Sequence, residues 1–166
     1  LEPAELTLDG FCNHFMAILQ RYSFEENVGN RQDLWHKLTL EMAGYEFGEQ
    51  LVQTGTSGSI TVLNPGNIVT PAVAEVLPAM GAAAVTVTGL GRNPDTGEEE
   101  PIIIRNLTTG HKVILDGETG LITQDGMPKT ADVDFWEVPS LLPGNNTITC
   151  DNTQMSITIK IKPRFM

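Results

Sequence analysis

The side chains best suited to move a proton near neutral pH or to hold a metal are the histidines His14, His36 and His111. No two of them stand at metal-ligand spacing, and each reads as a surface or half-buried polar residue. Acids cluster at three places. Glu98-Glu99-Glu100 reads as a solvated loop tip. Asp116-Gly117-Glu118 and Asp132-Val133-Asp134 could offer oxygens to Ca²⁺, but neither has the spacing of an EF-hand loop. Cys12 and Cys150 lie far apart and outside any CxxC pattern, so they read as two buried thiols rather than zinc ligands or a disulfide. No nucleophile elbow, P-loop or dinucleotide fingerprint occurs, and Gly89-Leu90-Gly91 lacks its third glycine and the helix that should follow. The expectation is a protein that is not an enzyme, with no catalytic, cofactor-binding or metal-binding residue.

Contact chemistry is better represented. Phe135 and Trp136 stand side by side and could stack on a sugar ring or meet a partner, although a lone tryptophan of this kind usually packs into a core. Trp35 reads as packed beneath a helix. That helix is expected near the start of the chain, capped by Asp9. Phe11, Phe15, Ile18, Leu19 and Tyr22 would form one apolar stripe along it at helical spacing, a candidate subunit interface.

The elements that would position these groups change character along the chain. Residues 23–33 are polar and read as a loop. Leu38-Thr39-Leu40-Glu41-Met42 alternates strictly, marking a strand buried on one face. The small residues Thr54-Gly55-Thr56-Ser57-Gly58 suggest a boundary, giving a helix-plus-strand segment over 1–56 and a second domain over 57–166. The second domain reads as short strands separated by turns such as Asn64-Pro65-Gly66, Asp125-Gly126 and Pro143-Gly144. Ser156 to Ile161 alternates cleanly. The fold class expected is mostly β, an antiparallel β-sandwich of jelly-roll type with one N-terminal helix.

Composition agrees with a packed protein. Hydrophobic residues make up 40% and charged residues 19%, which is globular rather than disordered. A net charge of −11 argues against nucleic-acid partners and against docking on anionic lipid. No apolar run is long enough to cross a bilayer as a helix. The chain opens at Leu1 without an initiator methionine, and it reads as a fragment.

The order of these elements resembles the distal tail proteins of long-tailed phages. Leu63-Asn64-Pro65-Gly66, then Pro71 and an extended Ala72 to Val76, is similar to the start of their C-terminal domain. Leu107 to Gln124 looks like the family's next hairpin and strand, but Ile122-Thr123-Gln124 lacks the acid usual there. Leu141-Leu142-Pro143-Gly144-Asn145-Asn146-Thr147-Ile148 resembles a late turn into a strand. Ile157 to Phe165 resembles the terminal strand, and Trp35 to Tyr45 the strand leaving the ring-forming N-terminal domain. The resemblance implies a galectin-like or carbohydrate-module-like C-terminal sandwich preceded by the end of a ring-forming domain. It implies an adaptor between tail tube and baseplate or receptor-binding proteins, found in the virion and made in the bacterial cytoplasm. It also implies other tail and baseplate proteins as partners, a ring-shaped homo-oligomer in the full-length protein, and in some relatives a cell-wall glycan. A carbohydrate-binding β-sandwich module is the alternative.

Overall fold

The structure, a computed structural model, describes residues 2–7, 14–27, 35–93 and 95–166. The chain divides into two compact units, one of Leu1–Gly48 with Phe165–Met166 and one of Glu49–Arg164. The described residues are overwhelmingly extended, and their strands pair antiparallel.

The first unit contains β1 (Ala4–Thr7), β2 (His14–Asn27) and β3 (Trp35–Phe47). The expected N-terminal helix is not found: His14–Asn27 is one long strand paired along its whole length with Trp35–Phe47. The strand also runs through Ser23–Asn27, where the sequence suggests a loop. The physical reason lies in one irregularity. Leu19 pairs with Met42 and Arg21 with Glu41, so Gln20 has no cross-strand partner and forms a β-bulge. The bulge shifts the side-chain alternation by one residue. Phe15, Ala17 and Leu19 therefore share a face with Tyr22 and Phe24 rather than with Arg21 and Ser23. The resulting apolar spacing of four and then three, at Phe15, Leu19 and Tyr22, mimics a helical stripe. Cross-strand pairing overrides the helix-favouring residues between Met16 and Arg21. Asp9, Phe11 and Cys12 lie outside the described residues.

The second unit contains β4 (Leu51–Gly55), β5 (Ser59–Asn64), β6 (Thr70–Pro78), β7 (Ala82–Arg92), β8 (Glu99–Leu107), β9 (Val113–Asp116), β10 (Ile122–Gln124) and β11 (Met127–Pro128). A single 3₁₀ turn at Thr130–Asp132 follows, then β12 (Val133–Asp134), β13 (Ser140–Leu141), β14 (Gly144–Cys150) and β15 (Met155–Ile161). The last strand, β16 (Arg164–Phe165), is placed in the sheet order β1-β2-β3-β16. The second unit has a sheet ordered β11-β10-β9-β6-β15-β4, with β13 also on β6, and a sheet ordered β12-β8-β7-β14-β5.

Alternation explains why these segments are strands. In β15 Met155, Ile157, Ile159 and Ile161 are buried while Ser156, Thr158 and Lys160 are half-exposed. In β6 Ala72, Ala74 and Val76 point inward in the same way. Both sheets feed one core. Val62, Val85, Ile102, Ile104 and Ile148 from one join Val76, Leu115, Ile122, Ile157 and Ile159 from the other. Each such aliphatic side chain contributes roughly 1.5–3 kcal/mol on burial.

Two asparagine turns close the ends of β5 and β14. Asn64 is fully buried; its Nδ2 donates to the carbonyl of Leu141 at 3.2 Å and its Oδ1 accepts from the N–H of Gly66 at 3.0 Å. Asn146 does the equivalent locally. Its Oδ1 accepts from the N–H of Leu142, and its Nδ2 donates to the carbonyls of Leu142 and Gly144. Gly66 is required because a Cβ there would stand 2.4 Å from the carbonyl oxygen of Arg164. The turn motifs that carry the sequence resemblance are therefore structural locks.

Candidate functional site

Two surfaces gather the residues that the sequence singles out. The first is one face of the β2–β3 ribbon. Register and alternation place Phe15, Leu19, Tyr22 and Phe24 with Leu38, Leu40 and Met42 on that face. Phe15 and Leu19 are half-buried, but Tyr22 is 70% exposed, Phe24 56%, Leu38 57%, Leu40 48% and Met42 46%. A contiguous exposed apolar face of this kind is uncommon on a monomer and is a mark of contact with another molecule. Ile18 belongs to the opposite face, beside Met16 and Arg21. The expected stripe is thus divided: Phe15, Leu19 and Tyr22 stay together, Ile18 turns away, and Phe11 lies outside the described residues. Phe24, Leu38, Leu40 and Met42 complete the face. The strict alternation at 38–42 signals them, although it suggests a covered face rather than an open one.

The second surface surrounds Trp136. Phe135 is half-buried and packs against the core, whereas Trp136 is 70% exposed. The chain leaves β12 at Asp134 and bends at Trp136 and Glu137, so Phe135 anchors the segment and Trp136 projects from it. The segment is pinned just upstream. Asp134 pairs with Arg105, and this partnership holds its carboxyl below the usual carboxylate range. Lys129 is buried; its Nζ donates to the carbonyl of Asn106 at 3.1 Å and to Asp132 Oδ2 at 3.0 Å. Asn106 Nδ2 also donates to Asp132 Oδ1 at 2.9 Å. Lys129 and then Asn106 hold the Asp132 carboxyl low. Trp136 is therefore presented outward by a braced strand end. Trp35 lies in β3, and its side chain and that of His36 are outside the described set.

Several other chemically capable groups are tied to the scaffold. Asp116 Oδ1 accepts from the N–H groups of Glu118 and Thr119, and Glu118 pairs with Arg164 at 2.7 Å. His111 pairs with Asp125, and His14 stacks on Phe47 with ring centroids 5.4 Å apart. Glu75 sits between Lys160 at 2.7 Å and Lys112 at 3.0 Å. Burial pushes its carboxyl up, but hydrogen bonds from Lys160 and then Lys112, with their charges, outweigh that and hold it below the ordinary value. Burial pushes the Cys150 thiol up, away from the reactive thiolate. Among the described residues, no group of three or more His, Cys, Asp or Glu is placed to hold a metal ion. No helix among them is long and apolar enough to cross a membrane.

Comparison with known proteins yields a likeness at the level of fold. No family profile matches the chain, and no curated protein matches it. Among solved structures it is similar to the crystal structure of SPP1 Dit (gp 19.1), described as a paradigm of the hub adsorption apparatus in phages infecting Gram-positive bacteria. The two share a fold with a TM-score of 0.74 over 99% of this chain, at 12% sequence identity. The chain spans 66% of the length of that structure.

Proposed function

We propose that the chain is a structural component of a phage or prophage tail tip, an adaptor linking the tail tube to baseplate or receptor-binding proteins. The observation that carries this reading is the fold shared with SPP1 Dit over nearly the whole chain. On this reading the first unit is the end of a ring-forming domain, and the second is a jelly-roll, galectin-like sandwich. Its two sheets meeting in one core support that assignment. The exposed face of the β2–β3 ribbon, centred on Tyr22, Leu38 and Leu40, becomes a contact with a neighbouring subunit or another tail protein. The protein resides in the virion after synthesis in the bacterial cytoplasm. No reaction is assigned to it on this reading; His14, Glu75, His111, Asp116 and Glu118 serve ion pairs, a turn and ring stacking.

Light scattering on this chain and on an N-terminally extended form tests the reading. The extended form is expected to assemble into a closed ring. Tyr22→Ser with Leu40→Ser should return that ring to single subunits without altering the far-UV spectrum. Extended chains that remain monomeric would refute assembly through this unit.

A second reading, a carbohydrate-binding module, is favoured by the exposure of Trp136. Glycan-array binding that disappears in Trp136→Ala would support it, and an array without a single wild-type hit would sink it.

A further inference from the structure

Two Asp-Gly steps lie in the second unit, Asp116-Gly117 and Asp125-Gly126. Such a step carries a reaction of its own. The aspartate carboxyl stands next to the amide nitrogen of a residue without a Cβ, and attack by that nitrogen closes a five-membered succinimide ring. The reaction needs a nitrogen free of hydrogen bonding and a backbone able to turn toward the carboxyl. The two steps differ in both respects.

Gly117 is buried, and its N–H donates to the carbonyl of Ala72 at 2.9 Å. A Cβ there would stand 2.0 Å from the carbonyl oxygen of Pro139, so packing leaves this backbone no room to turn. The Asp116 carboxyl is fixed as well, by the N–H groups of Glu118 and Thr119. Asp125 and Gly126 are instead exposed. They form the two-residue connection between β10 and β11, with Gln124 paired to Met127. Their φ angles of 50° and 81° are those of the tight hairpin turn that an Asp-Gly pair favours. Outside its chain neighbours, no atom lies within 4 Å of a Cβ built on Gly126, and its N–H donates to none of the described residues. The Asp125 carboxyl pairs with the exposed side chain of His111 rather than with backbone. β11 is two residues long and ends its sheet, so this turn can open while the core stays closed.

We propose that Asp125 is a self-modification site, converted from aspartate to isoaspartate within the folded chain. The Gly126 nitrogen bonds to Asp125 Cγ and gives up its proton. One carboxyl oxygen leaves as water, carrying that proton and one from solvent. Water then adds to the succinimide and returns one proton to solvent. Addition at Cγ restores aspartate. Addition at the backbone carbonyl carbon, with cleavage of its bond to nitrogen, routes the chain through the former side chain and gives isoaspartate. The conversion needs no oxidant and no reactant but water, and it leaves the mass unchanged. The product turn is one backbone atom longer. It loses the two-residue geometry that sets Gln124 opposite Met127, and its carboxylate is displaced from His111.

The test is incubation of the whole chain at neutral pH in H₂¹⁸O, followed by tryptic digestion in ordinary water. Each passage through the succinimide leaves one ¹⁸O on the aspartyl residue. The peptide released between Lys112 and Lys129 carries both steps, so its fragment masses compare them within one molecule. Asp125 is expected to take up label at least about tenfold faster than Asp116, as an added barrier of about 1.4 kcal/mol at Asp116 would give, and to accumulate isoaspartate. In urea that unfolds the chain, the two should label at similar rates. Asp125→Glu, whose extra methylene prevents the five-membered ring, should remove the label from that position and leave Asp116 slow. The proposal is overturned if Asp125 labels no faster than Asp116 in the folded chain, if the ratio is the same folded and unfolded, or if Asp125→Glu keeps the label at that position.

Discussion

Replacing Asn64 by alanine should destabilise the second unit far more than its surface-like amino-acid type suggests. The side chain is fully buried and bridges residues 77 positions apart, from the β5 end to Leu141. Its loss leaves the Leu141 carbonyl and the buried Gly66 N–H without these partners. A buried polar group left unsatisfied costs about 1–3 kcal/mol, so two such groups give about 2–6 kcal/mol, with a small cavity contribution added. For a unit of this size the lower half of that range already lowers Tm by about 10 °C. Urea unfolding followed by circular dichroism, with amide exchange read along Gly144–Cys150, measures the loss. Asn145→Ala is the control: Asn145 is exposed on the same ladder and should change stability by no more than about 0.5 kcal/mol. An Asn64→Ala cost below about 1 kcal/mol would show that the bridge does not hold the two strand ends together.

Two further outcomes follow from the same structure. Because the Glu75 carboxyl is held low in the folded state, its ion pairs add stability above the unfolded carboxylate range, and this is lost as pH falls through the folded value. Glu75→Gln should cost about 1–2 kcal/mol at neutral pH and flatten the acid limb of a pH–stability curve; an unchanged limb would reject the assignment. In urea unfolding Phe135→Ala should cost about 1–3 kcal/mol of stability, whereas Trp136→Ala should stay within about 1 kcal/mol, and equal losses would contradict their different burial.

The β-rich character of the second unit was legible because its strands are one-sided. Ser156 to Ile161 alternates without a break, and glycine, proline and asparagine mark most of its turns. The likeness to distal tail proteins was legible in the same turns, and at the level of fold SPP1 Dit supports it. The first unit misleads for a specific reason: the unpaired Gln20 converts a period of two into spacings of four and three. The exposure of Trp136 could not be read, because Phe135-Trp136 looks the same whichever ring faces inward. Nor could the bridge from Asn64 to Leu141 or the grouping of Glu75 with Lys112 and Lys160, since sequence carries no register between distant strands.

The bulge at Gln20 also has a geometric effect on assembly. A bulge bends its strand and increases the local twist, so the shift at Gln20 governs the direction in which Tyr22, Phe24, Leu38 and Leu40 are carried relative to the base of the ribbon. A chain lacking Gln20 would keep every cross-strand partner and every apolar residue, and would differ mainly in where the tip points. If subunits meet through that tip, composition makes it adhesive, but direction sets the rotation from one copy to the next. Only some rotations return to the starting copy after a whole number of steps. One unpaired residue would then distinguish a closed ring from an open, unending stack.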